Sequence, residues 1–397
     1  MSLNGKHIVV VGMGPAGLMA GTRLLELGYS VSFYDHKKAA GRKFLVAGHG
    51  GFNLTHSEDF ELFKTRYSDL NIEAALNLFT RDNWVNFLNK SIKIPTFTGS
   101  SGKIFPSKEI KPITVLYNWL NYIQHLGGQL YYEHQLIDFE NDSVTFKTNN
   151  EKIKVTADYI VFALGGGSWS ITGSTGEWLS LLTDKGVTTI PFESFNSGYE
   201  LTDWEKNKSL AGGIVKNIVI KLGDFQKEGD IVFTDYGIEG TPIYWSNQAY
   251  RNSSRDQQLT LDLKPTLNLS EIETVIAKAK NISDGFKKLK LSKSIINYFK
   301  LNLSKEKYTN ASYVAQLIKS LSFTIKDLRP IDDVISTSGG IGKDVINENF
   351  SLLNYPSVFC CGEMLNWNAP TGGYLIQGCV SSGYFVANEI EKLNQRL

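Results

Sequence analysis

The opening of the chain constrains its fold more than anything that follows. A β-branched run, His7-Ile8-Val9-Val10-Val11, of the kind buried in a parallel sheet, leads directly into Gly12-Met13-Gly14-Pro15-Ala16-Gly17. A helical pattern from Leu18 to Leu27 follows and stops at Gly28, and a second strand-like run, Val31-Ser32-Phe33-Tyr34, ends at Asp35. Each part has a task at a dinucleotide. Gly12 permits a tight turn, Gly14 lets the backbone approach a pyrophosphate, and Gly17 lets helix and strand pack closely. The helix start offers unpaired N–H groups and the positive end of its dipole to that anion. Asp35, about 20 residues past the loop, can accept hydrogen bonds from an adenosine ribose and disfavours a 2′-phosphate. The spacing predicts a strand–helix–strand unit that sets Gly12, Gly14, Pro15, Ala16, Gly17, Asp35 and its neighbour His36 against a dinucleotide, with FAD or NAD a better fit than NADP. The competing reading is a glycine turn made for structural reasons alone, which requires neither the flanking elements nor the acid.

Two further glycine-rich segments bear on which dinucleotide is held. The first runs Gly41-Arg42-Lys43-Phe44-Leu45-Val46-Ala47-Gly48-His49-Gly50-Gly51-Phe52-Asn53, a turn preceded by two cations. It suits a second pass over a pyrophosphate or a flavin ring; taken alone, it also suits a surface loop with solvated charges. The second begins with a short apolar strand, Val358-Phe359-Cys360-Cys361, that ends at Gly362-Glu363. It continues to Ala369-Pro370-Thr371-Gly372-Gly373-Tyr374, and a helix pattern then covers Leu375 to Leu393. Between them, Asp158 to Phe162 reads as another sheet strand, ending at Ala163-Leu164-Gly165-Gly166-Gly167.

Together these residues resemble the BaiN-like, or aminoacetone-oxidase-like, family of FAD-binding oxidoreductases. Its signatures are G-x-G-x-A-G-L, G-R-K ahead of a G-x-G-x-x-N turn, F-C-G-E, and T-G-G-Y. The resemblance implies FAD as the cofactor. Its contacts are then the residues of the first loop with Arg42, Lys43, Gly48, Gly50, Asn53, Leu136, Ala163, Leu164, Gly165, Gly362, Glu363, Thr371, Gly372, Gly373 and Tyr374. Gly102-Lys103-Ile104-Phe105-Pro106 is similar to a G-R-x-F-P element, with lysine for arginine. The inner loop departs from the commoner G-G-G-R-C-N form, since Gly51 and Phe52 stand where arginine and cysteine are usual. That departure sets the chain on a divergent branch and removes the basis for carrying over a substrate.

The implied fold class is α/β. A Rossmann-like FAD-binding domain of the two-dinucleotide-binding-domain flavoprotein type covers residues 1–191 and 329–397, around an inserted β-barrel-like and helical domain at 192–328. A helix is expected from Ile113 to Leu126, then antiparallel strands near Leu130–Glu133, Gln135–Glu140, Ser143–Thr148 and Lys152–Thr156. The inserted part alternates as strands, including Gly213–Leu222 and Asp230–Thr234, before short amphipathic helices over 270–320.

Composition narrows the function. With a net charge of +1 over 397 residues, the whole chain has no general pull towards nucleic acid or anionic membrane. Nine lysines face only Asp284 and Glu306 between Lys278 and Lys307. Leu289, Ile295, Ile296, Phe299 and Leu303 recur between them at near-helical spacing, so a solvated face over a core is preferred to a polyanion patch. Three cysteines make no paired framework, and no C-x-x-C is present for a disulfide-reductase mechanism. The vicinal pair Cys360-Cys361 reads as packing, and no ligand cluster suggests a metal. With no membrane-length apolar run and no leader-like start, a cytoplasmic protein is expected.

No second G-x-G-x-x-G exists, so NAD(P)H is expected only as a transient visitor. The expected activity is hydride transfer through flavin N5 with a small or medium organic substrate. His49, in the inner loop, is the candidate acid or base, with the alternative that it only hydrogen-bonds the loop or cofactor; His56 and Asp235 rank below it. Two other functions stay open: a flavoprotein acting on nucleic acid, of the tRNA-modification type, and a non-enzymatic redox-responsive FAD binder.

Overall fold

The computed structural model describes residues 5–46, 51–149, 151–253 and 258–395. They form two compact units, one from Met1–Glu193 with Ser336–Leu397 and one from Ser194–Ile335. The first contains a six-stranded sheet in the order Ser351–Leu352, Tyr355–Cys360, Tyr159–Phe162, β1 (His7–Val11), β2 (Ser30–Tyr34), Gln129–Tyr131. All neighbours run parallel except the outermost Ser351–Leu352. β1 sits inside the sheet, and Ile8, Val9 and Val10 have no exposed surface, which is why its sequence is a continuous apolar run without alternation. Helix α1 (Pro15–Glu26) connects β1 to β2.

The C-terminal helix, Tyr374–Gln395, packs on α1 backbone to backbone. A Cβ built on Gly383 falls 2.2 Å from the Ala16 carbonyl oxygen, a separation only glycine allows. Helix Pro112–His125 packs its buried Trp119 on α1, where the indole Nε1 donates to Thr22 Oγ1 at 2.9 Å.

One expected grouping is corrected. The Leu130–Glu133 segment does not open the antiparallel region: its strand, Gln129–Tyr131, extends the main sheet parallel to β2. The preceding helix returns the chain across the sheet face, so the strand re-enters in the parallel direction. The antiparallel sheet has three strands, Gln135–Phe139, Ser143–Lys147 and Lys152–Thr156. Tyr34 joins the two sheets, stacked on Tyr131 at 4.8 Å and on Phe146 at 4.3 Å between ring centroids.

The second unit is a closed barrel of six strands with a set of short helices. Its order is Tyr199–Leu201, Gly237–Glu239, Phe225–Phe233, Ile214–Leu222, Gln258–Asp262, Leu321–Leu328. Leu321, Phe323 and Ile325 point inward while Ser322 and Thr324 are exposed, the period-two pattern of a sheet with one wet face. Five helices follow between residues 269 and 319, each opened by a side-chain cap on Asn268, Asn281, Ser292, Ser304 or Asn310. Their apolar faces, including Ile272, Phe286, Ile295, Phe299 and Val314, join the barrel core. Among the described residues no helix is long and apolar enough to cross a membrane.

The contact between α1 and the C-terminal helix is the tightest test of this packing. Gly383→Val should destabilise the protein by about 1–3 kcal/mol through overpacking, read as a lower midpoint in urea unfolding. An unchanged midpoint would show that the two backbones lie further apart.

Candidate functional site

The loop after β1 is held open by backbone geometry. Gly12 has φ +100°, and a Cβ there would lie 2.2 Å from the Ala163 carbonyl oxygen. A Cβ on Gly17 would lie 2.0 Å from the Gly12 carbonyl oxygen. Gly14 is the opposite case, since a Cβ there meets nothing within 4 Å. Gly14 is also the N-cap of α1, with no side-chain cap and Pro15 in the first turn. The first turn of α1 thus presents unpaired N–H groups beside open space, which is the electrostatic requirement for a pyrophosphate.

Asp35 fixes this loop from the end of β2. One carboxylate oxygen accepts from Met13 N at 3.0 Å and the other from Lys37 N at 2.9 Å. The His36 ring lies beside it, with Nδ1 3.6 Å from Asp35 Oδ1. Burial lowers the His36 pKa against the opposing pull of Asp35, so the ring is neutral at pH 7.

These groups line one cavity of about 670 Å³, a size suited to a large organic ligand. Of the residues named from sequence, Gly12, Gly14, Pro15, Ala16, Asp35, His36, Arg42, Lys43, Leu136, Ala163, Leu164, Gly165, Gly362 and Glu363 all line it. They come from six separate stretches of chain, brought together because β1, β2, Tyr159–Phe162 and Tyr355–Cys360 all end on the same side of the parallel sheet. Lys43, on the short helix Arg42–Val46, reaches across the cavity wall. Its Nζ donates to Ser168 Oγ at 2.9 Å and to Glu363 Oε2 at 3.2 Å. Glu363 is carried on a 3₁₀ turn, Gly362–Met364, anchored when Gly362 N donates to Ser382 Oγ at 2.9 Å.

The remaining named residues are placed elsewhere. Gly17 lies beneath the loop and does not line the cavity, nor do Asn53, Thr371, Gly372, Gly373 and Tyr374. Gly373 packs on Thr55, whose carbonyl oxygen would be 2.5 Å from an added Cβ. Tyr374 is buried in a ring stack with His56 and Phe63, and its hydroxyl donates to Glu58 Oε1 at 2.5 Å. Asn53 keeps a buried Oδ1 with no hydrogen-bond partner among the described residues. Gly48, His49 and Gly50 lie outside the described residues.

Several features of this region carry no motif. Arg66 grips Glu58 with two bonds, Nε to Oε1 at 3.2 Å and Nη2 to Oε2 at 2.9 Å. Burial raises the Glu58 pKa, but Arg66 and Tyr374 outweigh it and hold the carboxyl below its usual range. His56 accepts from Glu58 N at Nδ1, 3.1 Å, which leaves Nε2 to donate to Ser101 O at 3.1 Å. Both ring nitrogens are thereby committed, and burial lowers its pKa, so His56 is a structural neutral imidazole. Lys103, directly opposite it in the strand pair, has a pKa lowered by burial. On the cavity itself, sequence reasoning missed Thr172 and Gly173, whose only signal was a turn, and the thiols of Cys361 and Cys379. Burial pushes both thiols well up, so they remain protonated and supply no thiolate.

Comparison with known proteins gives a consistent result. The family model described as HI0933-like protein Rossmann domain matches residues 6–389. Ribosomal RNA dihydrouridine synthase of Haemophilus influenzae is 22% identical over 412 positions, covering 97% of this chain and 98% of that protein. Among solved structures, the open conformation of a flavocytochrome c3 fumarate reductase aligns with a TM-score of 0.51 at 12% identity, covering 98% of this chain and 78% of that one. A 3-ketosteroid-Δ4-(5α)-dehydrogenase from Rhodococcus jostii RHA1 aligns at a TM-score of 0.49 and 12% identity, covering 96% of each chain. The uncapped helix start, the ribose-side acid and the match along nearly the whole length converge: the chain belongs to the HI0933-like protein Rossmann domain family and binds FAD.

Proposed function

We propose that this flavoprotein exchanges hydride with an organic substrate at a C–N bond or a conjugated C=C/C=O group, on the BaiN-like or aminoacetone-oxidase-like branch of its family. The observation that carries the proposal is a cavity lined both by the uncapped start of α1 and by the Lys43–Glu363 pair. When bound, FAD supplies a hydride acceptor and donor at N5. The chain supplies position and charge. The N–H groups at the start of α1, beside Gly14, would hold the pyrophosphate, and Asp35, already anchored by two N–H groups, would accept from the ribose. Lys43 cannot swing freely, because Ser168 and Glu363 fix its ammonium at the wall. We assign any accompanying proton transfer to His49, on its place in the inner loop of the sequence. NAD(P)H is the proposed transient electron donor.

A second reading has its own support. One relative that matches over nearly its whole length is a ribosomal RNA dihydrouridine synthase. A uridine in ribosomal RNA would present a C5=C6 bond conjugated to a carbonyl, the type of centre proposed above. Its reduction takes a hydride and a proton and gives 5,6-dihydrouridine.

Three outcomes are expected. Gly14→Val should fold normally, since its Cβ meets no atom, yet bind FAD about 10–100-fold more weakly in a fluorescence titration. Equal FAD affinity would remove the pyrophosphate from this loop. Lys43→Met should keep its FAD and slow anaerobic flavin bleaching by NADPH about 10–100-fold in stopped flow; a full rate would deny Lys43 a role. On the second reading, incubating protein-free bacterial ribosomal RNA with holoenzyme and NADPH should raise its dihydrouridine content by mass spectrometry, and no rise would reject uridine as substrate.

A further inference from the structure

The short helices of the second unit concentrate charge. Between Lys278 and Lys307 nine lysines face two acids, a surplus of seven in 30 residues of a chain whose net charge is +1. The remaining 367 residues therefore carry a net charge of −6. All nine lysines are exposed. Among the described residues only Lys288 is in an ion pair, with Asp284 at 3.1 Å. The apolar side chains between the lysines turn into the core, which leaves the lysines outside, and the caps on Asn281, Ser292 and Ser304 divide the segment into three short helices. Lys287, Lys288, Lys300 and Lys307 fall in last turns, where their charge complements the negative helix ends, and all four are exposed.

We infer that this lysine surface docks the phosphate backbone of structured RNA. The inference deepens the second reading above and rests on it for the identity of the polyanion. An RNA backbone fits better than an anionic membrane. These helices are only 5 to 10 residues long, and their large apolar residues Phe286, Ile295 and Phe299 are buried, so little remains to insert into a bilayer. Lysine without arginine also suits phosphate contact that positions a substrate, because reading base edges relies on forked donors.

The test compares two charge-matched variants of the full holoenzyme. One carries K287E, K288E, K290E and K293E; the other carries K108E, K147E, K152E and K343E, all exposed lysines of the first unit. Binding of protein-free bacterial ribosomal RNA is measured by filter retention from 50 to 200 mM salt. The first variant should lose at least about tenfold in affinity relative to the second, and its slope of log K against log salt should fall by about 2–4. K287Q, K288Q, K290Q and K293Q together should show a smaller loss in the same direction, which excludes misfolding from introduced carboxylates. Equal binding by the two glutamate variants overturns the inference. So does lysine-dependent capture by phosphatidylserine vesicles without RNA binding, which would assign the surface to membranes. Dihydrouridine formation by the unsubstituted enzyme separates the two ideas. Lysine-dependent RNA binding without product keeps the docking surface and rejects uridine reduction; product made equally by both variants keeps uridine reduction and rejects the surface.

Discussion

The approach of three backbones at the end of β1 is the constraint on which the rest of the site depends. Gly12 lies against the Ala163 carbonyl, Gly17 against the Gly12 carbonyl, and Gly383 against the Ala16 carbonyl, each too close for any Cβ. This stack leaves the first turn of α1 without a capping side chain. Uncapped helix starts leave orphan N–H groups whose desolvation is costly unless water or an anion takes them. The loop resolves that cost by facing a cavity, and Gly14 keeps the approach to those N–H groups clear because it adds no side chain there. Tight packing on one side and an open anion site on the other are one arrangement.

The outer wall depends on side chains from opposite ends of the sequence. Lys43 and Glu363 are both mostly buried, with side-chain exposures of 25% and 17%. At that depth the desolvation of two charges roughly offsets their attraction, so the pair adds little to stability. What it provides is position: an ammonium held by Ser168 and Glu363 stays at the cavity wall instead of extending into solvent. A pair that contributes geometry more than energy is expected where a substrate or cofactor must be oriented.

Much of this was legible because it is local. The run of Ile8 to Val10, the glycine spacing and the acid at the end of β2 each follow from short-range physics, and the loop, helix and cavity wall occur where that physics puts them. What was not legible is long-range. The Glu58–Arg66–Tyr374 network depends on a helix that begins 316 residues after Glu58, and nothing in the spacing of those residues announces it. The strand at Gln129–Tyr131 carries the same apolar alternation in either direction, and only the return path of Pro112–His125 makes it parallel. The Gly372-Gly373 turn also meets a demand invisible in sequence, since both glycines have φ above +100° and Gly373 packs against the Thr55 backbone.

Charge distribution shows the same division between local pattern and tertiary consequence. The helical spacing of Leu289, Ile295 and Phe299 identified a solvated lysine face, and these side chains are indeed buried in the barrel core. A solvated face and an electrostatic surface are the same object seen at two distances. At contact range, lysines with few carboxylate partners are simply hydrated. An approaching polyanion feels the summed field of those lysines that come within a Debye length of it, about 8 Å at physiological salt. The near-neutral total charge of the chain conceals this because the compensating acids are spread over the remaining 367 residues. Burying the apolar stripe therefore determines both how the helices pack and what their outer surface can attract.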